Sequence, residues 1–82
     1  MQILTVRQVE FCCLIIKQSV PTTCVPGVSF QNKLLVADRT FNYEDRQQAK
    51  HYCETMYLAS KGSKLYLLLD EADRLTVWRE ES

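Results

Sequence analysis

The sequence predicts an α+β fold: a single antiparallel β-sheet with one α-helix packed on one face, a two-layer domain in ββ-α-ββ order. Three observations predict it. Residues 42–62 carry a helical apolar stripe with a start and a stop signal. Short apolar runs of β-forming residues flank it on both sides. The whole is 82 residues, enough for one domain and no more.

Residues 1–8 carry no periodic signal. Residues 9–17 read as a strand, short and rich in β-formers. Both parities are apolar: Val9, Phe11, Cys13 and Ile15 on one side, Cys12, Leu14 and Ile16 on the other. A strand covered on both faces looks this way. Residues 19–27 read as a loop, since Pro21 and Pro26 remove donors and Pro26-Gly27 is a turn signal. Residues 28–37 suggest a hairpin turning at Gln31-Asn32-Lys33, or one long bent strand.

Asn42 is the expected N-cap, with Asp45 three residues on as a weak capping box. Ala49, Tyr52, Cys53, Met56, Tyr57 and Ser60 then recur at helical spacing and form the buried stripe. Gly62 is the stop. Residues 64–69 and 75–79 are strands, joined by the acidic turn 70–74. The polar tail is expected to fray.

Ten basic and ten acidic residues cancel. No electrostatic capture of phosphate backbones follows, so nucleic acid is not an expected partner. A chain with no net charge also repels its copies poorly. The apolar run 11–16 is too short for a secretory signal or a membrane span, so no membrane insertion is expected and the expected location is cytoplasmic, including the periphery of a membrane assembly.

Four cysteines stand at 12, 13, 24 and 53 with no Cys-x-x-Cys pair, so no metal site is expected. They read as reduced, small, buried side chains. His51, the sole histidine, falls on the wet side of the helix; a small cysteine-dependent enzyme would need the fold to bring a cysteine to it. The sequence names no catalytic residue, cofactor or small-molecule substrate.

Leu67 to Leu75 (L-L-L-D-E-A-D-R-L) resembles the acidic motif of DEAD-box RNA helicases, where a strand delivers carboxylates to Mg²⁺ and the nucleotide. That chemistry also needs a phosphate-cradling loop upstream, and Gly62-Ser63-Lys64 is too short to be one. A solvated hairpin turn is the expected role. Seven aromatic residues from Phe30 to Trp78 could stack on bases, which keeps a single-stranded nucleic-acid binder as an alternative. Lys and Arg are scattered, and core packing is favoured.

The strands carry more apolar surface than one helix can cover. If Leu65, Leu67, Leu69, Leu75 and Val77 face the helix, then Tyr66, Leu68 and Trp78 point away, with Phe11 and Ile15 as neighbours. The opposite parity exposes the leucines instead. Either way an apolar patch remains that a monomer rarely tolerates. The expected function is therefore a non-enzymatic protein–protein interaction or accessory module. It would form a homodimer or dock on a larger assembly through that sheet face, and Trp78→Ala should weaken association by about 2 kcal/mol. The competing reading is that the N-terminal segment or the proline-bearing loop covers the face.

The stretch Phe41 to Ala49 (F-N-Y-E-D-R-Q-Q-A), with Tyr52-Cys53, Gly62 and Thr76-Val77-Trp78, resembles a group of small uncharacterised proteins from cyanobacteria. The resemblance implies a cytosolic or thylakoid-peripheral accessory protein. It carries no functional residues over.

Overall fold

Apolar strands on both sides of a helix bury themselves here by curling as well as by layering. The structure is a computed structural model that describes residues 3–16 and 23–81, with the side chains of 15, 16 and 23 outside the description. Its elements are β1 (Ile3–Thr5), a 3₁₀ turn (Val6–Gln8), β2 (Glu10–Ile16), β3 (Thr23–Phe30), β4 (Lys33–Asn42), α1 (Arg46–Ala59), β5 (Tyr66–Asp70) and β6 (Arg74–Glu80). They form one six-stranded sheet in the order β1-β5-β6-β4-β3-β2.

The sheet is mixed, which corrects the purely antiparallel expectation: β1 runs parallel to β5, pairing Ile3 with Leu68 and Thr5 with Asp70. The other four pairings are antiparallel. The expected loop 19–27 also changes. Its residues 19–22 lie outside the described residues, while 23–27 belong to β3. Pro26 is tolerated there because β3 has already parted from β4, whose last partner pair is Gly27 with Val36.

Connectivity forces the curl. Beta-1 and β2 are opposite edges of the sheet, about 24 Å apart if it were flat. The five residue steps from Thr5 to Glu10 can span at most about 18 Å, and a 3₁₀ turn in the middle shortens that further. The edges must therefore approach. The Gln8 side chain helps hold the link by accepting the Thr5 N–H at 2.8 Å.

Two cores result. Leu4, Val9, Val28, Leu35, Leu67, Leu69 and Trp78 fill the concave side. On the convex side α1 lays Ala49 and Cys53 over Tyr66, Leu68, Leu75 and Val77, with Tyr52, Met56, Phe41 and Ile3 at the margin. Of the predicted stripe, Ala49, Tyr52, Cys53 and Met56 pack, while Tyr57 stays exposed and Ser60 caps the helix end.

Turn chemistry sets the registers. Gln31 and Asn32 both have positive φ, 51° and 63°, as a two-residue type I′ hairpin requires. In β4, Asp38 is a bulge between Ala37, opposite Trp78, and Arg39, opposite Val77. The helix begins later than expected. Asp45, not Asn42, is its N-cap, and the Asn42 carbonyl instead closes a turn by accepting the Asp45 N–H at 3.0 Å. At the other end the Lys61 N–H reaches the Leu58 carbonyl and the Gly62 N–H the Tyr57 carbonyl, at 2.9 and 3.2 Å. That is a Schellman stop with Lys61 in the left-handed position.

Candidate functional site

The residues expected to share one exposed face do not share one. Tyr66 and Leu68 lie under α1, and Leu68 has no exposed surface. Trp78 lies on the concave side and is 5% exposed. Cross-strand partners in an antiparallel pair share a face. Leu68 stands opposite Val77 and Leu67 opposite Trp78, so Leu67 and Val77 can never both face the helix. The surplus apolar face is the inside of the curl, covered from the N-terminal segment by Leu4 and Val9. Ile15 has its backbone in β2, but its side chain lies outside the description.

Phe11 and Trp78 do come together, ring centroids 6.3 Å apart and nearly perpendicular. Phe11 is half exposed and stands at the mouth of the curl. There a pocket of about 420 Å³ opens between Val6, Phe11, Pro26, Thr40 and Trp78. Its polar end is built from the acidic turn. The Trp78 indole N–H donates to Glu71 Oε2 and Arg74 Nε donates to Glu71 Oε1, both at 3.1 Å. The helicase-like motif is the β5–β6 turn, where Asp70 Oδ1 accepts the Ala72 N–H at 2.9 Å. That Glu71 anchors an indole was not visible from a motif read as solvated.

Beside this mouth runs β2, with β3 on one side and no strand on the other among the described residues. Its seven residues pair with β3 without a register break. Leu14 packs over Gly27, where a Cβ would come within 2.6 Å of Leu14 Cγ. Cys13 and Cys24 are joined in a disulfide between these strands, Cα atoms 5.8 Å apart. This corrects the expectation of four reduced, buried thiols: both bonded cysteines are at exposed positions, and only Cys53 is a buried free thiol. Burial first, then nearby Glu54 and Asp38, push its pKa up to about 11.

His51 lies exposed on α1, in a groove whose lining includes no cysteine. No group of three or more His, Cys, Asp or Glu among the described residues is arranged to hold a metal. No helix among them is long and apolar enough to cross a membrane. The chain matches no family model, no curated protein and no solved structure.

Proposed function

We propose that the protein is a non-enzymatic interaction module that self-associates by strand addition, β2 pairing antiparallel with β2 of a second copy. The observation that carries this reading is the undefended edge of β2. Proteins blunt such edges with lysine, proline, bulges or very short strands. Beta-2 is seven residues long, has no lysine, proline or bulge, and holds one charge, Glu10 at its start. The opposite edge, β1, is only three residues.

The pocket beside Phe11 supplies the second ingredient of strand addition. Main-chain hydrogen bonds give such pairing its affinity, and pockets for alternate side chains give its specificity. A two-fold pairing centred on Cys13 sets Phe11 against Ile15 and Glu10 against Ile16. No like charges meet, and the absence of net charge removes long-range repulsion. The interaction surface is thus an edge with its flanking mouth, in place of a flat sheet face.

Sedimentation velocity over a concentration series tests the reading. The expected result is a monomer–dimer equilibrium that Phe11→Lys shifts to monomer while the circular dichroism stays unchanged. A wild-type chain that remains monomeric at every concentration removes self-association.

A further inference from the structure

We propose that the groove between the β4 bulge and α1 binds a small organic anion, a carboxylate carried on an aromatic or apolar body. The groove, about 450 Å³, is lined by Arg39, Phe41, Gln47, Gln48, His51, Tyr52 and Thr55. That volume is in the range of small-molecule sites. It lies on the helix side of the sheet, away from the edge of β2.

The bulge creates it. In an unbroken strand, Ala37 and Arg39 would share a face. With Asp38 inserted, Ala37 stays opposite Trp78 on the concave side while Arg39 moves opposite Val77, on the helix side. Bulges are a common means of re-aiming a side chain at a functional position. Here both Asp38 and Arg39 reach the helix side, a cation and an anion side by side, yet they do not neutralise each other.

Asp38 is engaged elsewhere. Its Oδ2 accepts the Tyr52 hydroxyl at 2.6 Å, and its Oδ1 faces Arg79 Nε at 3.3 Å. That hydrogen bond, then burial, raises the Tyr52 pKa above its usual range. The Arg39 guanidinium lies instead over two rings, 4.7 Å from the Phe41 centroid and 5.1 Å from that of Tyr52. Among the described residues no carboxylate forms an ion pair with it. Cation–π contact with the two rings uses none of the guanidinium's N–H donors in hydrogen bonding and so leaves them for a carboxylate.

The lining fits this ligand on both counts. It contains no acid, and Gln47, Gln48, His51 and Thr55 add hydrogen-bonding groups around Arg39. Phe41 and Tyr52, 5.6 Å apart and tilted by 56°, give an apolar wall for the ligand's body. A simple inorganic anion would leave that wall unused.

Titration of the full chain with benzoate, followed by NMR, tests the assignment. Saturable shifts are expected at the Gln47 and Gln48 side-chain amides and the His51 ring. The neutral isostere benzyl alcohol should bind about tenfold more weakly or worse, and Arg39→Gln should cost benzoate a similar factor, the worth of one charged hydrogen-bonded contact. Arg39 is exposed, so that variant should keep the wild-type amide spectrum elsewhere. Gln48→Ala, on the exposed helix surface, is a second variant that should weaken benzoate alone. No saturable shift with benzoate, or equal affinity in Arg39→Gln, overturns the site. Phe11→Lys should leave benzoate binding unchanged, so this result and that of the self-association test can fail separately.

Discussion

The rings of Phe11 and Trp78 meet edge to face at 6.3 Å although their strands stand three places apart in the sheet. In a flat sheet that separation is about 14 Å. The contact therefore records how far the sheet curls, and it decides what the tryptophan does. Trp78 is a core residue held from outside by Phe11 and at its nitrogen by Glu71.

Replacing the two rings should have unequal consequences. Trp78→Ala should lower stability by about 3–5 kcal/mol, a large share of the total for a domain this size. Phe11→Ala, half exposed at the start, should cost about 1 kcal/mol or less in the monomer. Urea unfolding of both variants checks this. A Trp78→Ala chain as stable as wild type would mean that the sheet does not close over the indole.

The joint between β2 and β3 offers a sharper probe. Gly27 lies under Leu14, and a Cβ there would stand 2.6 and 2.8 Å from Leu14 Cγ and Cδ1. Leu14 is itself buried and must shift. Gly27→Ala should destabilise by about 1–3 kcal/mol through this overpacking. Leu14→Ala should cost less in the Gly27→Ala background than in the wild type, a difference that a double-mutant cycle measures.

The body of the helix, most of its packed stripe and the strands at 10–16, 66–69 and 75–79 were legible in the sequence, because each rests on a local pattern, whereas 3–5, 23–27 and 38–42 do not read as strand. The faces were not legible either. Which side Tyr66, Leu68 and Trp78 take depends on the β5–β6 register. That register follows from a turn in which Ala72 adopts φ 73° and its N–H is held by Asp70. A slip of one residue there exchanges the faces of one strand against the other. The curl was hidden for a different reason. It comes from a link of four residues between opposite edges, and residues 3–5, the strand that makes the link matter, carry no periodic signal. The Arg39 groove depends on the Asp38 bulge, and nothing in Ala37-Asp38-Arg39 announces an extra residue.

Lys61 should be a cheap place to gain stability. It holds the left-handed position of the helix stop at φ 57°, where a side chain costs energy and glycine does not. Gly62, the residue that the sequence marked, follows it with φ 73°. Lys61→Gly should raise stability by about 0.5–1 kcal/mol, seen as a higher midpoint in thermal unfolding.

Glu80 should contribute to the acid limb of the stability curve. Its Oε1 accepts the Leu65 N–H at 2.9 Å and its Oε2 meets Lys33 Nζ at 3.3 Å. The backbone hydrogen bond first, then Lys33, hold its pKa below the ordinary glutamate value. The folded state thus binds this proton less readily than the unfolded one. The contribution is present above the unfolded pKa, about 4.3, and is lost as pH falls through the lowered folded value. Glu80→Gln should be less stable than wild type at neutral pH, and the gap should narrow below pH ~4. A gap that stays constant across that range would remove Glu80 from the titration.

The cysteines separate into three behaviours, and counting thiols distinguishes them. Without reductant, in denaturant, two thiols should react, those of Cys12 and Cys53; after reduction, four. In the folded protein Cys12 should alkylate first, since it is partly exposed and Cys53 is fully buried with its pKa pushed up to about 11. The thiolate is the reactive form, so the Cys53 rate at neutral pH should be slow for both reasons. Reduction of the Cys13–Cys24 bond, which closes a separation of 11 residues, should lower stability by about 2–3 kcal/mol. The loosened element is β2, the strand whose edge carries the proposed self-association. Added dithiothreitol should therefore weaken the dimer and lower the unfolding midpoint together. A reduced chain of unchanged midpoint, or four reactive thiols in the protein as isolated from an oxidising buffer, would mean that the curl holds β2 without its covalent tie to β3.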